Sequence, residues 1–310
     1  MSGSPPYLLT PRQVHELSQS KTQLALLDAS WYMPNSPRRP KDEFLGKRIP
    51  DAQFLDLDEV ASEHELGLKH MMPSPGMFAK ACEIFGINPS THVILYDSQG
   101  VFSSPRALFM FRTFNHNNSS IIDGGLPRWE AEGLPLETRT PEGSRPAMTY
   151  AIPSQNDHSI RSYEQMVSNA SRDMSSDLTE LVVDARSHGR FTGKDPEPRP
   201  GLSSGHIPNS FSLPFNLFLE SHTNPSSGDK YTTYLPEDGI QKALVSTIGS
   251  ENASLVIGGR KSVTTTCGSG MTAAVLWLGL RLLGAKEVGL YDESWTGYAS
   301  RKTSVIEKSL

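Results

Sequence analysis

Cysteine is scarce in this chain: Cys82 and Cys267 are the only two among 310 residues. Two cysteines so far apart cannot build a disulfide framework, so a reducing compartment is expected. No Cys-x-x-Cys pair occurs, and the nine histidines are scattered without ligand spacing. A metal centre is therefore not expected, and no cofactor is implied. No apolar run approaches the roughly 18 residues that cross a bilayer, which argues against a membrane role. The start, Met1-Ser-Gly-Ser-Pro-Pro-Tyr7, lacks the basic-then-apolar order of a secretory leader. It is also poor in arginine, and patterned sequence begins at Leu8, leaving little room for a removable presequence. A cytoplasmic location is expected, with a mitochondrial one left open. An excess of basic residues is missing too. Lys and Arg total 29 against 34 Asp and Glu, a net charge of −5, so no direct nucleic-acid grip is expected. The length leaves room for two ordinary domains, and the 36% apolar content allows each a core.

Against that background one run stands out: Val263-Thr-Thr-Thr-Cys267-Gly-Ser-Gly-Met-Thr272-Ala-Ala-Val-Leu276. A β-branched stretch ends at a cysteine, a short loop with two glycines follows, and a helical pattern starts near Thr272. Glycines let such a loop turn its N–H groups inward. The helix N-terminus adds partial positive charge. A thiol at that place is expected to ionise readily, and the thiolate is the nucleophile. Cys82 lies inside the helical run Phe78-Ala-Lys-Ala-Cys-Glu-Ile-Phe85 and is expected to be packing.

The chain repeats itself. Leu26-Leu-Asp28-Ala-Ser matches Val182-Val-Asp184-Ala-Arg, 156 residues on, and Arg48-Ile-Pro-Asp matches His206-Ile-Pro-Asn, 158 on. Val93-Ile-Leu-Tyr-Asp97 matches Val263-Thr-Thr-Thr-Cys267 at an offset of 170, and Asp123-Gly-Gly matches Asp292-Glu-Ser at 169. About twelve extra residues thus enter the second half. Phe218–Tyr234, rich in Ser, Asn, Gly and Thr, reads as the loop that holds them. Strands are expected at 24–27, 54–56, 93–96 and 120–122, with helices at 12–18, 77–85 and 105–114 between them. The second half shows strands at 181–183, 255–257, 263–266 and 287–290. Alternating strands and helices predict an α/β fold with a parallel sheet covered on both faces, and such sheets bind ligands at the carboxyl ends of their strands. The divisions read as a first domain over 7–140, a linker over 141–160 and a second domain over 161–304. Asp97 or Ser98 stands where the second half has Cys267, so the first domain is expected to be a non-catalytic scaffold walling an active cleft.

These landmarks resemble the tandem rhodanese family of sulfurtransferases. The likeness rests on Leu27-Asp-Ala-Ser-Trp-Tyr32, Tyr96-Asp…Gly100-Val-Phe-Ser-Ser-Pro-Arg106, Leu126-Pro-Arg-Trp129, Asp184-Ala-Arg186, Pro196-Glu-Pro-Arg199, Gly205-His-Ile-Pro208 and Tyr291-Asp-Glu-Ser-Trp295. It implies two tandem rhodanese-like domains, each a parallel sheet flanked by helices. The loop Cys267-Gly-Ser-Gly-Met-Thr272 is similar to that of the members acting on 3-mercaptopyruvate; thiosulfate-preferring members carry basic residues after the cysteine. The resemblance implies that Cys267 takes sulfur from a small-molecule donor as a persulfide and passes it to a thiol such as thioredoxin or glutathione, or to cyanide. It assigns Arg190 and Arg199 to the donor's carboxylate, which arginine forks match in shape. Gly268, Gly270, Met271 and Thr272 are the loop residues expected against the substrate. A proton relay of Ser269, His70 and Asp58 is implied for the leaving enolate, the aspartate fixing the imidazole tautomer. Asp58 is twelve residues before His70, one more than the family spacing, so its neighbour Glu59 is the other candidate. Arg186 is expected to hold the loop through an ion pair, and His206 to be structural.

Two other chemistries compete. A cysteine phosphatase needs an arginine six positions after the cysteine, and Ala273 stands there. A sulfur relay is the second: the persulfide would go to a sulfur-carrier protein, as in the thiolation of tRNA wobble uridine. The 218–234 insertion would then offer a docking loop.

Overall fold

The computed structural model describes residues 5–20, 22–138, 146–174, 176 and 178–309. Residues 139–145, which overlap the expected linker, lie outside these. The chain divides into two compact units. Unit 1 comprises Met1–Ser62, Met72–Asn156 and Glu220–Tyr234; unit 2 comprises Glu63–Met71, Asp157–Leu219 and Leu235–Leu310.

In unit 1, β1 (Leu8–Leu9), β2 (Leu24–Asp28), β3 (Gln53–Phe54), β4 (His92–Tyr96) and β5 (Ser119–Ile122) form one sheet. Its order is β1-β5-β4-β2-β3, with every pairing parallel. Helices α1 (Pro11–Ser18), α2 (Pro40–Gly46), α3 (Pro75–Ile84), α4 (Ser104–Thr113) and α5 (Gly125–Ala131) connect the strands. The central strand β4 is buried throughout, and its run Val93-Ile-Leu-Tyr96 is fully inaccessible. A parallel sheet covered on both faces requires such a run.

Unit 2 repeats the plan with β6 (Ile160–Arg161), β7 (Leu181–Asp184), β8 (Ser210–Ser212), β11 (Val263–Thr266) and β12 (Val288–Tyr291). The order β6-β12-β11-β7-β8 is that of unit 1, again all parallel. Its helices are α6 (Tyr163–Ala170), α7 (His188–Thr192), α8 (Glu237–Ile248), α9 (Ser250–Ile257), α10 (Ala273–Leu282) and α11 (Ser294–Ser300). Even the first helices start alike. Thr10 and Ser162 each cap the helix N-terminus, and a glutamine three residues on completes the box.

Two expectations fail. Leu255–Ile257 is no strand; it is the last turn of α9, which buries Ala253 and Val256 three residues apart. Three apolar residues are too few to separate a period of two from one of 3.6. Phe218–Tyr234 is no loop either. It begins at the end of a 3₁₀ turn and continues as strands β9 (Leu219–Thr223) and β10 (Lys230–Tyr234), which pair with each other. The connection is tied by Asn224, whose Oδ1 accepts from the N–H of Ser226 and whose own N–H donates to Asp229 O at 2.8 Å. The β-prone His222, Tyr231, Thr232 and Thr233 are diluted by turn residues, which hides the hairpin from composition. The hairpin packs in unit 1. The Tyr234 N–H donates to Asp123 Oδ1 at 2.9 Å, and the Val101 N–H donates to Thr232 Oγ1 at 3.2 Å.

Candidate active site

Register fixes the correspondence between the repeats. Asp28 pairs with Tyr96 across β2–β4, and Asp184 with Thr266 across β7–β11. Cys267 therefore corresponds to Asp97, the residue following β4. Both follow the central strand where the strand order reverses, the usual ligand position in such sheets.

In unit 2, β11 delivers Cys267 into the bend 268–272, and α10 begins at Ala273. Cys267 is buried, 2% exposed. The carbonyls of the bend are engaged outward. Cys267 O accepts from Trp295 N at 2.9 Å, and Gly268 O accepts from Thr296 N at 2.9 Å and Thr296 Oγ1 at 2.5 Å. The five backbone N–H groups from Gly268 to Thr272 donate to no acceptor among the described residues. Buried N–H groups are rarely left open in proteins, and Gly270 and Met271 are buried here. Five in succession beside a buried sulfur suit an anion.

Ser294 belongs to this site and was not singled out from the sequence. Its Oγ accepts from the Cys267 N–H at 3.2 Å, donates to Tyr291 O at 2.8 Å and lies 4.0 Å from the Cys267 sulfur. It is fully buried with φ +51°. The matching residue of unit 1 is Gly125, φ +53°, where a Cβ would meet Asp97 O at 2.1 Å. A left-handed backbone suits glycine, and a serine held there carries strain of order 1 kcal/mol. The readable signal was Asp292-Glu-Ser standing against Asp123-Gly-Gly.

Both expected arginines reach the bend. A Cβ on Gly268 would lie 3.1 Å from Arg190 Nη2 and 3.5 Å from Arg199 Nη1. Arg190 is held by Glu197, Nη2 to Oε2 at 2.5 Å. Glu197 also receives Arg186 Nη1 at 2.7 Å, and Arg186 forks onto Asp184 with its Nη2 2.6 Å from Oδ2. The Arg186 guanidinium stacks over Trp295, 4.1 Å from the ring centroid. This buried chain of alternating charges fixes the guanidinium nearest the bend. Met271 is buried, and Thr272 and Ser269 are half-buried.

His70 lies in the first repeat by sequence, yet the segment Glu63–Met71 belongs to unit 2, with Cys267. His64 pairs with Glu293 at 3.7 Å and Glu65 with Arg301 at 3.9 Å. His70 is 2% exposed with φ +47°, a second strained backbone position in this unit. Asp58 belongs to unit 1. It is exposed, and its Oδ2 accepts from Trp31 Nε1 at 3.2 Å. Glu59 is exposed as well, its N–H donating to Asp56 Oδ1 at 3.3 Å. His206 is buried, stacked on Phe191 with centroids 4.0 Å apart. Cys82 is buried in α3, where burial pushes its thiol well up. No group of three metal-ligating side chains occurs among the described residues.

Comparison with known proteins bears on the family and the fold. The family model of the rhodanese-like domain matches residues 10–132 and 167–301. The chain belongs to the rhodanese family, with two copies of its domain. It is 37% identical to a probable 3-mercaptopyruvate sulfurtransferase of Schizosaccharomyces pombe, over 93% of this chain and 90% of the relative. It is 36% identical to the 3-mercaptopyruvate sulfurtransferase of Rattus norvegicus, over 90% and 86%. Among solved structures, the Tum1 protein of Saccharomyces cerevisiae superposes with a TM-score of 0.81 at 27% identity, covering 97% of this chain and 98% of that one.

Proposed function

We propose that this chain is a sulfurtransferase that takes sulfur from 3-mercaptopyruvate through Cys267. One observation carries the reading: open N–H groups follow a buried cysteine that has two guanidiniums beside its bend. The Cys267 thiolate attacks the donor's thiol sulfur. The carbon–sulfur bond breaks and its electron pair becomes the enolate of pyruvate, leaving a persulfide on Cys267. The enolate takes up one proton, which Ser269 and His70 supply; Asp58 is the carboxylate that family likeness assigns to orienting that imidazole. A thiol acceptor then attacks the outer sulfur and restores the Cys267 thiolate. The thiolate and the persulfide anion use the same N–H groups. Arg190 and Arg199 take the donor's carboxylate, while Gly268, Gly270, Met271 and Thr272 form the wall against its body. In this reading the second domain, 161–304, is catalytic, and the first, 7–140, is not.

The test is intact mass after donor treatment, with steady-state rates for 3-mercaptopyruvate and thiosulfate side by side. One added sulfur on the Cys267 peptide is expected. Arg190→Ala and Arg199→Ala should raise KM for mercaptopyruvate by about tenfold or more, the loss of one charge-assisted contact, and change thiosulfate turnover less. Equal loss with both donors sinks the carboxylate assignment.

A sulfur relay is the second reading, favoured by one likeness. A sulfur transferase subunit of the yeast mitochondrial complex I superposes with a TM-score of 0.81 at 29% identity, so a relative works within a larger assembly. Here the acceptor would be a carrier protein serving tRNA wobble-uridine thiolation, in place of thioredoxin or glutathione. Transfer of labelled sulfur to such a carrier, measured with and without residues 220–233, separates the two. Cytoplasm is the proposed compartment and the mitochondrion the alternative, the latter supported by one plant relative that is mitochondrial by name. No helix among the described residues is long and apolar enough to cross a membrane.

A further inference from the structure

Unit 1 keeps a crevice at the place where unit 2 has its reactive bend. A cavity of about 460 Å³ opens at the carboxyl ends of β2 and β4, where the strand order of the first sheet reverses. That volume is within the range of small-molecule sites, about 300–1,000 Å³, and the position is the favoured one. The walls are charged. Asp28 and Ser98 come from the strand ends, Arg38 and Glu43 from α2 and the turn before it, and Asp229 and Lys230 from the hairpin.

Comparison of the repeats shows what this crevice lacks. In unit 2 the aspartate ending the second strand, Asp184, is covered by the Arg186 fork. In unit 1 the matching Asp28 has Ser30 in place of that arginine. Asp28 is 2% exposed, its Oδ1 accepts from the Ser30 N–H at 2.9 Å, and no salt bridge reaches it among the described residues. A buried carboxyl without a cation, facing a cavity, is matched by a ligand's ammonium group. Cations line the same cavity, each with a carboxylate neighbour in the lining. Arg38 forks onto Glu43, with its Nε 2.9 Å from Oε1, and stacks on Tyr32. Lys230 is exposed at the rim. These cations suit a carboxylate. Neither a simple anion nor a simple cation answers both kinds of lining charge.

We propose that unit 1 carries a second, non-covalent site at its sheet's reversal point, for a small zwitterion with an α-ammonium and an α-carboxylate group. The ammonium takes the place of the Arg186 guanidinium against Asp28, and the carboxylate faces Arg38 and Lys230. A free amino acid and the γ-glutamyl end of a peptide share this chemistry.

Calorimetry and amide chemical shifts of the intact protein test it, with L-alanine and γ-glutamylglycine as the two sources and propionate and ethylamine as controls. None has a thiol, so the sulfur chemistry of Cys267 does not enter. One equivalent of either zwitterion should bind at least about tenfold tighter than both controls, and shifts should fall on β2, α2 and the hairpin. Lys230→Glu, a surface change that leaves folding intact, should weaken binding by about tenfold, and Asp28→Asn by at least as much. Absence of binding by both zwitterions at tens of millimolar, equal binding by propionate, or shifts centred on 267–272 would each overturn the site.

Discussion

Two bends, built at the same place in two copies of one sheet, differ in what their backbone amides face. After β4, Asp97 turns its carboxylate back into the bend. Its Oδ2 accepts from the N–H groups of Phe102, Ser103 and Ser104 and from Ser104 Oγ, at 2.7 to 3.0 Å, and its Oδ1 accepts from Gln99. The Ser98 N–H goes to Ser30 Oγ, and that of Val101 to Thr232. After β11 a cysteine holds the aspartate's position, and its bend leaves its N–H groups open. One copy closes its bend with its own carboxylate. The other leaves its amides open, which in the proposed function is where the thiolate and persulfide are held. The exchange of carboxylate for sulfur goes with others: Ser294 stands in place of Gly125 and Arg186 in place of Ser30.

The comparison breaks most completely at Cys267. Cys267→Ser should abolish sulfur transfer under either reading, with the far-UV spectrum and melting temperature unchanged; residual turnover would mean another nucleophile. Asp97→Ala should act on the opposite property. It leaves several buried N–H groups without an acceptor, at about 1–3 kcal/mol each, so a loss of several kcal/mol in chemical denaturation is expected. The folded fraction should keep its kcat. A melting point within a degree of the parent would show that the enclosed carboxylate is not structural.

Ser294 sharpens the contrast more gently. Ser294→Gly keeps the left-handed backbone of its counterpart Gly125 but removes the hydroxyl beside the sulfur. A fall in kcat of about tenfold is expected, the worth of one hydrogen bond, with stability equal to or above the parent's. Ser294→Ala should lose the same activity and retain the strain, so the two variants must match in rate and differ in stability. Equal stability would remove strain from the account.

A further effect concerns Asp28 and pH. Burial, with Asp97 nearby adding to it, pushes the Asp28 carboxyl up to about 7. An acid raised in the folded state stabilises most at low pH. That contribution is present below the unfolded value near 3.8 and is lost as pH rises toward 7. Urea denaturation at pH 4.5, 6 and 8 should show the decline, roughly 1.4 kcal/mol for each whole pH step across that window. Asp28→Asn keeps an oxygen for the Ser30 N–H and should flatten the slope. An unchanged slope would place the titrating group elsewhere.

Much of this was legible along the chain. Val93-Ile-Leu-Tyr96 was readable as a strand covered on both faces, and Thr264 to Thr266 as its copy because they precede Cys267 as those residues precede Asp97. The capping boxes Thr10-Pro-Arg-Gln13 and Ser162-Tyr-Glu-Gln165 are seen in the structure and were not among the sequence readings. Arg190 and Arg199 were named through likeness, and both reach the Gly268 bend. The failures share one cause. Leu255–Ile257 and Phe218–Tyr234 are segments whose local pattern is weak and whose state is chosen by what they pack on. Ser294 escaped notice because its role lies in a backbone angle and in a distance to a residue 27 positions earlier.

The amino-acid order by itself determined the duplication, the parallel α/β plan of each half, and a cysteine set at a glycine-bearing bend. These depend on periodicity and on residue chemistry, both local along the chain. Only the tertiary structure decided that the hairpin of the second repeat completes the first unit, that the segment holding His70 belongs with Cys267, and which bend has its amides closed by a carboxylate. Those outcomes are set by packing between segments far apart in sequence, where burial and hydrogen-bond satisfaction act on the whole fold at once.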